Sequence, residues 1–492
     1  MKSKSKVIKN YIFNSSYQLL ALIVPLVTTP YISRILRADG IGIYSYTYSI
    51  VSYFTIFSIL GTATYGNKQI GILQDKPEER TKKFLNILTL RLITSGTALV
   101  IYVAYVLLFA DNKTIALLQA FYILATLTDT SWFFQGMEDF KRVAVRNYLV
   151  KVLNVAAIFL FIHKHEDLWK YVLSLSFLTL FGSLSILPYL KKYLVKVPHY
   201  KPQPFNDINI ILQLFIPTMA IQLFEMLDRT MIGVITKEAV ENGYYEQAMK
   251  IVRMALIVVT AINTVLLPKS SKAYAEGKLD EMKGYLYTSY RFVWFLATPL
   301  MCGVIGIASI LVPVFFGEGY QPVISVLTFM AFIAIPMGMN STSGTQFFIS
   351  TGRQNTYTKY VLIGGVINVA LNALLIPFIK SNGAAIASVA GEVFIMSAEF
   401  VYISKNKHLE ISKVFKMCGK YVIAGGIMLA ALLLASSRMQ PTVLNLALLI
   451  IGGAALYFLL LLIMREHFIM FGLKTAKNFI KNRSGKPTCT KG

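Results

Sequence analysis

The stretch that decides the fold is residues 442–463, which read TVLNLALLIIGGAALYFLLLLI and contain no Asp, Glu, Lys or Arg. A helix of about 20 apolar residues crosses the ~30 Å hydrocarbon core of a bilayer. Backbone N–H and C=O groups must find partners inside that core, which favours a helix over an open strand or a loop. This run therefore predicts a transmembrane helix.

Runs of the same character recur along the whole chain. Its 492 residues are 55% hydrophobic and only 15% charged, whereas soluble domains average about 25% charged residues. The predicted spans are 8–33, 40–62, 84–109, 114–136, 143–163, 168–190, 208–235, 243–267, 285–311, 322–350, 358–379, 383–404, 418–436 and 442–463. The expected fold class is an all-α integral membrane protein with about 14 transmembrane helices.

The distribution of basic residues predicts the orientation of these helices. With the N-terminus inside, the segments predicted to be cytoplasmic hold 33 Lys and Arg, and those predicted to be external hold seven. Cytoplasmic loops carry such an excess of positive charge. We therefore expect a multi-pass protein of the bacterial plasma (inner) membrane with both termini in the cytoplasm. Because these loops account for the net charge of +24, no nucleic-acid partner is expected.

Two internal shifts indicate a repeat. A shift of 201 residues places Gly42 on Gly243 and Tyr44 on Tyr245, and a shift of 214 aligns helices four and five with ten and eleven. Chance similarity among apolar segments is the alternative, but it does not explain coherent matches of Gly and Tyr. Both shifts preserve orientation, so a cavity between two parallel halves is expected. The predicted divisions are an N-terminal six-helix lobe at 1–206, a C-terminal six-helix lobe at 207–404, and two extra helices with a basic cytoplasmic tail at 405–492.

Ionisable residues inside the spans are the candidates for function, because a charge within a bilayer normally faces a cavity or a partner. A net-cationic cavity would accept an anionic group such as a pyrophosphate. The predicted cavity residues are Arg91, Arg229, Lys250, Arg253, Arg291, Tyr44 and Tyr48. The carboxylates predicted as candidates for H+ or Na+ coupling are Asp129, Glu225, Asp228 and Glu392.

Internal pairing is the alternative reading of these charges. The i,i+4 spacing lets Glu225 pair with Arg229 and Glu246 pair with Lys250 on one helix face. Some of the charged residues could thus lock the bundle, others could snorkel from a helix end, and the tyrosines could form an interfacial belt.

Motifs of enzymes and metal sites are absent from the sequence. There is no GxxxxGK[ST], HExxH or GxSxG pattern, and three Cys and five His show no metal-ligand spacing. We therefore expect a transporter and not an enzyme, with no catalytic residue, no metal and no cofactor.

The run at residues 28–46, TTPYISRILRADGIGIYSY, resembles the opening of the polysaccharide-transport family of the multidrug/oligosaccharidyl-lipid/polysaccharide (MOP) exporter superfamily. Gly243, Tyr244 and Tyr245, with Ala248 and Lys250, look like its counterpart in the second half. The resemblance covers essentially the whole chain. It implies a two-lobed, V-shaped flippase that works by alternating access.

The resemblance also implies a substrate and partners. The substrate would be a polyprenyl-diphosphate-linked oligosaccharide, moved from the cytoplasmic to the outer leaflet of the lipid bilayer for capsule or O-antigen synthesis. Polymerase and glycosyltransferases of the same pathway would be partners. The alternatives are a lipid II flippase of peptidoglycan synthesis and a cation-coupled multidrug exporter of the same superfamily; a membrane-bound polymerase or acyltransferase would need a catalytic loop, and none is found.

Overall fold

The structure is a computed structural model that describes residues 2–406 and 409–472, without the side chains of residues 2–22, 217, 218, 220, 221, 224 and 225. Across these described residues the chain is helical and contains no strand, which confirms the predicted all-α fold class. The α-helices are α1 (Lys2–Ile59), α2 (Thr62–Ile72), α3 (Pro77–Phe109), α4 (Lys113–Thr128), α5 (Ser131–Gly136), α6 (Phe140–Phe161), α7 (Leu168–Ser185), α8 (Ile208–Thr236), α9 (Ala239–Ala275), α10 (Leu279–Phe316), α11 (Gln321–Ala331), α12 (Ala334–Thr342), α13 (Gln354–Lys405), α14 (Ile411–Lys416), α15 (Gly419–Ser436) and α16 (Val443–Ile463).

Two pairs of predicted spans are joined into single long helices that kink where the sequence predicts a boundary. In α1 the kink is at Arg37, with φ 56° and ψ −178°. In α13 it is at Ile379 and Lys380, and Lys380 has φ 49°. A positive φ is unfavourable for a residue with a Cβ and interrupts the helical hydrogen bonds. Each long helix therefore supplies two segments of different direction.

Nine helices within the described residues are long and apolar enough to cross a membrane. The count becomes ten if Gln321–Ala331 and Ala334–Ile349, which are bent by 40°, form one broken span. The predicted spans lie mostly on helices, but those at 114–136 and 322–350 are each interrupted, between α4 and α5 and between α11 and α12. The two kinked helices hold two predicted spans each. The chain is therefore a multi-pass membrane protein, and the count of fourteen stays a prediction.

The chain forms two compact units. Unit one contains the described residues up to Lys250, together with Phe315–Val326 and Asn355–Gly391. Unit two contains Ile251–Val314, Leu327–Gln354 and the described residues from Glu392 onward. The predicted division into lobes at residues 206 and 404 stays a prediction.

The core of unit one is aromatic around the short helix α5. Trp132 stacks on Phe84 with ring centroids 5.7 Å apart, and Phe133 meets Phe84 edge-on at 5.3 Å. These three rings are each at most 3% exposed. Such aromatic pairs add stability beyond the burial of their area, so α5 is fixed against α3 and presents the end of α4 to the neighbouring cavity.

Helices α1 and α9 approach each other closely within unit one. A Cβ added to Gly42 would lie 1.6 Å from the Ala239 carbonyl oxygen, and one added to Gly243 would lie 1.9 Å from the Ala38 carbonyl oxygen. Only glycine permits backbones to come this near. The two glycines related by the shift of 201 residues thus lie at one helix crossing.

Unit two packs the last two helices against α10. The Tyr457 hydroxyl of α16 donates to the Phe295 carbonyl oxygen at 3.0 Å. On α15, a Cβ at Gly425 would lie 2.8 Å from Thr298 Cγ2 and 3.2 Å from Cys302 Sγ. Small residues allow such close packing of helices in a membrane, so α15 and α16 are integral parts of this unit.

Candidate functional site

A cavity of about 390 Å³ opens within unit one, between α1, α3, α4, α6 and α7. This volume lies within the ~300–1,000 Å³ of small-molecule pockets. Its lining includes hydroxyl and amide side chains, and its charged residues are Arg91, Asp129, Arg146 and Lys151. Three cations and one carboxylate give the wall a net charge of two positive units.

Arg91 of α3 is held by hydrogen bonds to the protein itself. Its Nε donates to Thr62 Oγ1 at 2.7 Å, and its Nη1 donates to the carbonyl oxygens of Thr126, at 3.2 Å, and Asp129. The guanidinium carbon lies 5.8 Å from the centre of the Trp132 ring. Because cations stabilise helix C-termini, Arg91 fastens the end of α4. Its guanidinium lies at the cavity wall, and its Nε and Nη1 donate hydrogen bonds within the protein.

Asp129 lies at the break between α4 and α5 and pairs with Arg146 of α6. Asp129 Oδ1 accepts from Arg146 Nη1 at 2.8 Å and from the Ser131 amide at 3.2 Å, and the Ser131 hydroxyl donates to the same oxygen. Arg146 Nη2 donates to Asn147 Oδ1 at 2.7 Å. Asp129 is thus part of a salt bridge in the cavity wall, and its role in ion coupling stays a prediction.

A polar face of α6 supplies another cation, Lys151, to the cavity. Asn147, Lys151 and Asn154 line the cavity together at i, i+4 and i+7, which is one face of a helix. Among the described side chains, no carboxylate lies within ion-pair distance of Lys151. Arg146, Asn147, Lys151 and Asn154 all lie in the predicted span 143–163, but none of them is among the predicted cavity residues. The helical spacing of the three polar residues was the available signal.

Tyrosine rings form the side of the cavity towards α1. Tyr48 and Tyr122 line it, with ring centroids 5.3 Å apart and nearly perpendicular. Tyr44 stacks on Tyr48 at 5.6 Å and meets Tyr171 edge-on at 5.4 Å. The predicted Tyr44 and Tyr48 thus belong to a four-ring cluster whose hydroxyls and faces suit a polar, ring-shaped group.

An ion pair joins α8 to α9 beside this cluster. Arg229 Nε donates to Glu246 Oε2 at 2.7 Å, and the Ser45 hydroxyl donates to the same oxygen at 3.2 Å. Arg229 is 4% exposed. Lys250 lies within electrostatic range of Glu246 and Arg229. The i,i+4 spacing within α9 predicts that Glu246 pairs with Lys250. In the structure Glu246 binds Arg229 of the neighbouring helix α8.

Asp228 is enclosed by hydrogen-bond donors. Its Oδ2 accepts from the Tyr245 hydroxyl at 2.6 Å and from Ser388 Oγ at 2.7 Å. Its Oδ1 accepts from Asn368 Nδ2 at 3.0 Å and Asn372 Nδ2 at 2.6 Å. The residue is 5% exposed. These four donors join α8, α9 and α13 through one buried side chain.

The remaining predicted residues lie elsewhere. Arg253 is exposed and belongs to unit two, where Arg291 lines a different pocket. Glu392, also in unit two, accepts from Asn340 Nδ2 at 2.6 Å. The side chain of Glu225 lies outside the described residues. The predicted set is therefore divided: Arg91, Asp129 and Tyr48 share the cavity, and Tyr44 adjoins it.

The cavity can hold an anionic group next to a polyhydroxylated one. Arg146 and Lys151 offer N–H donors of the kind that bind phosphate oxygens. Tyr48, Tyr122 and Asn154 offer hydroxyls, ring faces and an amide on the surrounding wall. Among the residues that the structure describes, no three His, Cys, Asp or Glu side chains are grouped as metal ligands.

A comparison with known protein families shows which family the chain belongs to. The family of polysaccharide biosynthesis proteins matches residues 7–274, which is more than half of the chain and includes the whole cavity wall. The chain belongs to this family. It is therefore a membrane protein of polysaccharide biosynthesis, in agreement with the family resemblance at residues 28–46.

Individual relatives agree with this membership. A protein of Escherichia coli (strain K12), whose name assigns it to O-antigen transport, is 21% identical over 418 residues, covering 83% of this chain and 99% of its own. The solved structure of the lipid II flippase MurJ in an inward closed conformation superimposes with a TM-score of 0.72 at 15% identity, covering 93% of this chain and 99% of MurJ. An inward-facing multidrug resistance MATE transporter of the MOP superfamily gives 0.57 at 15% identity, covering 84% and 98%. The fold is therefore that of MOP transporters.

Proposed function

We propose that this protein is a flippase for polyprenyl-diphosphate-linked oligosaccharides, which it moves from the cytoplasmic to the outer leaflet for capsule or O-antigen synthesis. The transported unit would be the product of membrane-associated glycosyltransferases and would pass to a polymerase. Alternating access of lobes at residues 1–206 and 207–404, with both termini in the cytoplasm, would supply the movement.

The observation that carries this proposal is the charge and composition of the cavity in unit one. A lipid-linked sugar presents a diphosphate next to saccharide hydroxyls, and a membrane core offers neither of them a partner. The cations Arg146 and Lys151 would bind the diphosphate, while the tyrosine cluster would stack against the first sugar. Multidrug exporters of cationic compounds would need the opposite charge, so the net positive wall favours an anionic substrate.

Lipid II transport is the second candidate. It is favoured by the TM-score of 0.72 with MurJ, and lipid II carries the same diphosphate. The two functions differ in the saccharide and not in the charge, so a competition between headgroups separates them.

Transport by reconstituted protein tests the proposal. Proteoliposomes would carry a fluorescent oligosaccharide linked to undecaprenyl diphosphate, and quenching by an added impermeant reductant would report the outer leaflet. Lys151→Gln removes a cation that has no carboxylate partner among the described side chains, and it should slow transport by about tenfold, the effect of losing one charge-assisted phosphate contact. Excess unlabelled lipid II or unlabelled lipid-linked oligosaccharide is then added as a competitor. Stronger suppression of transport by lipid II would favour the second candidate.

Lys141→Gln is the matched control, because Lys141 lies on the same helix but is exposed and outside the cavity. Its transport should equal that of the unchanged protein. Equal rates for Lys151→Gln and Lys141→Gln would refute the role of the cavity. Absence of transport by the unchanged protein with both lipid-linked substrates would refute the flippase itself.

We also propose that an embedded carboxylate couples transport to an H+ or Na+ gradient, with Asp129, Asp228, Glu392 and Glu225 as candidates. Each gradient would be imposed separately on the same proteoliposomes. Transport that is unchanged by both gradients would remove the coupling proposal and leave the substrate assignment intact.

A further inference from the structure

A second basic pocket, of about 600 Å³, lies in unit two, where α10, α14 and α15 meet the segment that follows α16. We name it the C-terminal basic pocket. Its cationic residues are Arg291, Lys413, Lys416, Lys420 and Arg465. Arg291 comes from the middle of the chain and the other four come from its last hundred residues, so the tertiary structure assembles this charge.

The one carboxylate among the lining residues is already used within the protein. Glu466 Oε1 accepts from the Tyr421 hydroxyl at 2.5 Å, and Oε2 accepts from the amides of Phe468 and Ile469 at 2.7 and 3.1 Å. Glu466 is 2% exposed. It therefore shapes the turn after α16, and both of its oxygens accept hydrogen bonds from neighbouring residues of the protein.

Three of the cations have no carboxylate partner in the described part of the chain. No ion pair involves Arg291, Lys416 or Arg465 there, and residues 467–492 contain no Asp or Glu. Like charges gathered in one pocket repel each other unless an anion lies between them. The pocket therefore carries an excess of positive charge that a bound anion would offset.

The other two lysines have defined positions. Lys413 Nζ donates to Glu410 Oε1 at 3.0 Å. Lys420 Nζ donates to the carbonyl oxygens of Met464 and Arg465 at 2.6 and 3.3 Å. Lys420 therefore ties α15 to the end of α16 and closes one side of the pocket.

Aromatic contacts hold the pocket wall rigid. Trp294 Nε1 of α10 donates to the Val414 carbonyl oxygen in α14 at 3.1 Å, between the two lysines of that helix. The Phe295 ring lies 6.2 Å from Tyr421 and 5.5 Å from Phe468. These contacts position α14 and the segment after α16 before any ligand arrives, which lowers the entropy cost of binding.

We propose that the C-terminal basic pocket binds the phosphate of a membrane lipid. Loop charge predicts this end of α15 and α16 to be cytoplasmic, and basic pockets between transmembrane helices on that side suit anionic headgroups. The neighbouring Phe415 and Val422 are 45% and 49% exposed, so they can contact acyl chains below a phosphate in the pocket. The phosphate could belong to a bulk phospholipid or to a polyprenyl diphosphate, which share this chemistry.

Native mass spectrometry of the full-length protein tests the proposal. The probes are dioleoylphosphatidylglycerol, undecaprenyl diphosphate and inorganic phosphate, with dioleoylphosphatidylcholine as the neutral lipid. The triple variant Arg291→Gln, Lys416→Gln and Arg465→Gln should bind an anionic lipid about tenfold more weakly or worse, because each basic residue adds to the attraction. The three single variants give the same test if the triple variant does not fold.

The control variant Lys191→Gln, Lys196→Gln and Lys272→Gln removes the same number of charges from exposed positions outside the pocket and should bind like the unchanged protein. Weaker binding of phosphatidylglycerol alone identifies bulk phospholipid, and weaker binding of undecaprenyl diphosphate alone identifies the polyprenyl lipid. Equal affinity of pocket and control variants for every anionic lipid overturns the proposal, as does inorganic phosphate binding as tightly as the lipids. Because the readout is binding and not transport, failure here leaves the proposed flippase function untouched.

Discussion

At the scale of single residues, Gly42 and Gly243 show how sequence symmetry becomes a contact. The shift of 201 residues relates them, and the structure places them at one crossing of α1 and α9. A Cβ added at either position would lie only 1.6 or 1.9 Å from a carbonyl oxygen of the facing helix. Contacts below 3 Å require the backbone to move. Glycine is therefore demanded at both positions by the proximity of two helices and not by local conformation.

Gly243→Ala should separate α1 from α9 in the conformation seen here. We expect lower thermal stability and slower transport, because overpacking typically costs about 1–3 kcal/mol. Gly96→Ala is the matched control, since nothing lies within 4 Å of a Cβ at that helical position. Thermal unfolding of both variants in detergent is the measurement, and equal melting temperatures would contradict the close approach.

Asp228 gives a second prediction at this scale. Replacement by Ala leaves the four donors from Tyr245, Ser388, Asn368 and Asn372 without their acceptor. Each unsatisfied buried polar group costs roughly 1–3 kcal/mol, so the melting temperature should fall clearly. Asp280→Ala, which removes a carboxylate with a 96% exposed side chain, should leave it nearly unchanged. A stable Asp228→Ala protein would show that water replaces the carboxylate.

At the scale of elements, the cavity depends on how α6 meets the break between α4 and α5. Helix α4 ends at Thr128, and the interruption leaves carbonyl oxygens that Arg91 binds and a carboxylate that Arg146 binds. A straight helix over residues 114–136 would have satisfied those carbonyls itself. The break therefore determines where the cations of two neighbouring helices lie.

A double-mutant cycle tests this coupling between elements. Asp129→Asn and Arg146→Gln should each lower stability, and the double variant should lose less than the two effects added, by roughly 0.5–3 kcal/mol. Asp129→Asn combined with Lys141→Gln should be additive, because Lys141 lies on α6 outside this cavity. Additivity in both pairs, measured by thermal unfolding, would mean that the salt bridge contributes nothing.

At the scale of the whole molecule, loop charge predicts the orientation in the membrane. The 33 Lys and Arg of the predicted cytoplasmic segments against seven in the external ones depend on an odd number of helices between residues 112 and 196. In that interval Phe140–Phe161 and His165–Lys192 are long and apolar enough to cross a membrane, so a third crossing would need α4 and α5, of 16 and 6 residues, to cross together.

Labelling of single cysteines checks this orientation. Asn112→Cys should react with a membrane-impermeant maleimide in intact cells, and Lys196→Cys only after permeabilisation, because positive loops stay inside. Both changes are made after Cys302, Cys418 and Cys489 are replaced by Ser. Reversed accessibility would invert the orientation, and reaction of both sites from outside would contradict the number of crossings.

The sequence by itself determined the membrane class, the helical fold and the family. Hydropathy over about 20 residues and a motif at residues 28–46 are local properties of the chain, so they do not depend on how the helices pack. It also marked Arg91, Asp129 and Tyr48, because a charge or a tyrosine in an apolar run is visible without a partner.

Only the tertiary structure decided which of those residues share a site and which partners they take. Arg229 binds Glu246 of the next helix, and Arg91 donates to α2, α4 and the break after α4. Lys151 lines the cavity although it is not among the predicted cavity residues. Arg291 joins residues more than a hundred positions away in a pocket of unit two. The physical reason is that an ion pair needs its donor and acceptor atoms about 3 Å apart and a cavity needs side chains from several helices around one space. Helix packing decides both.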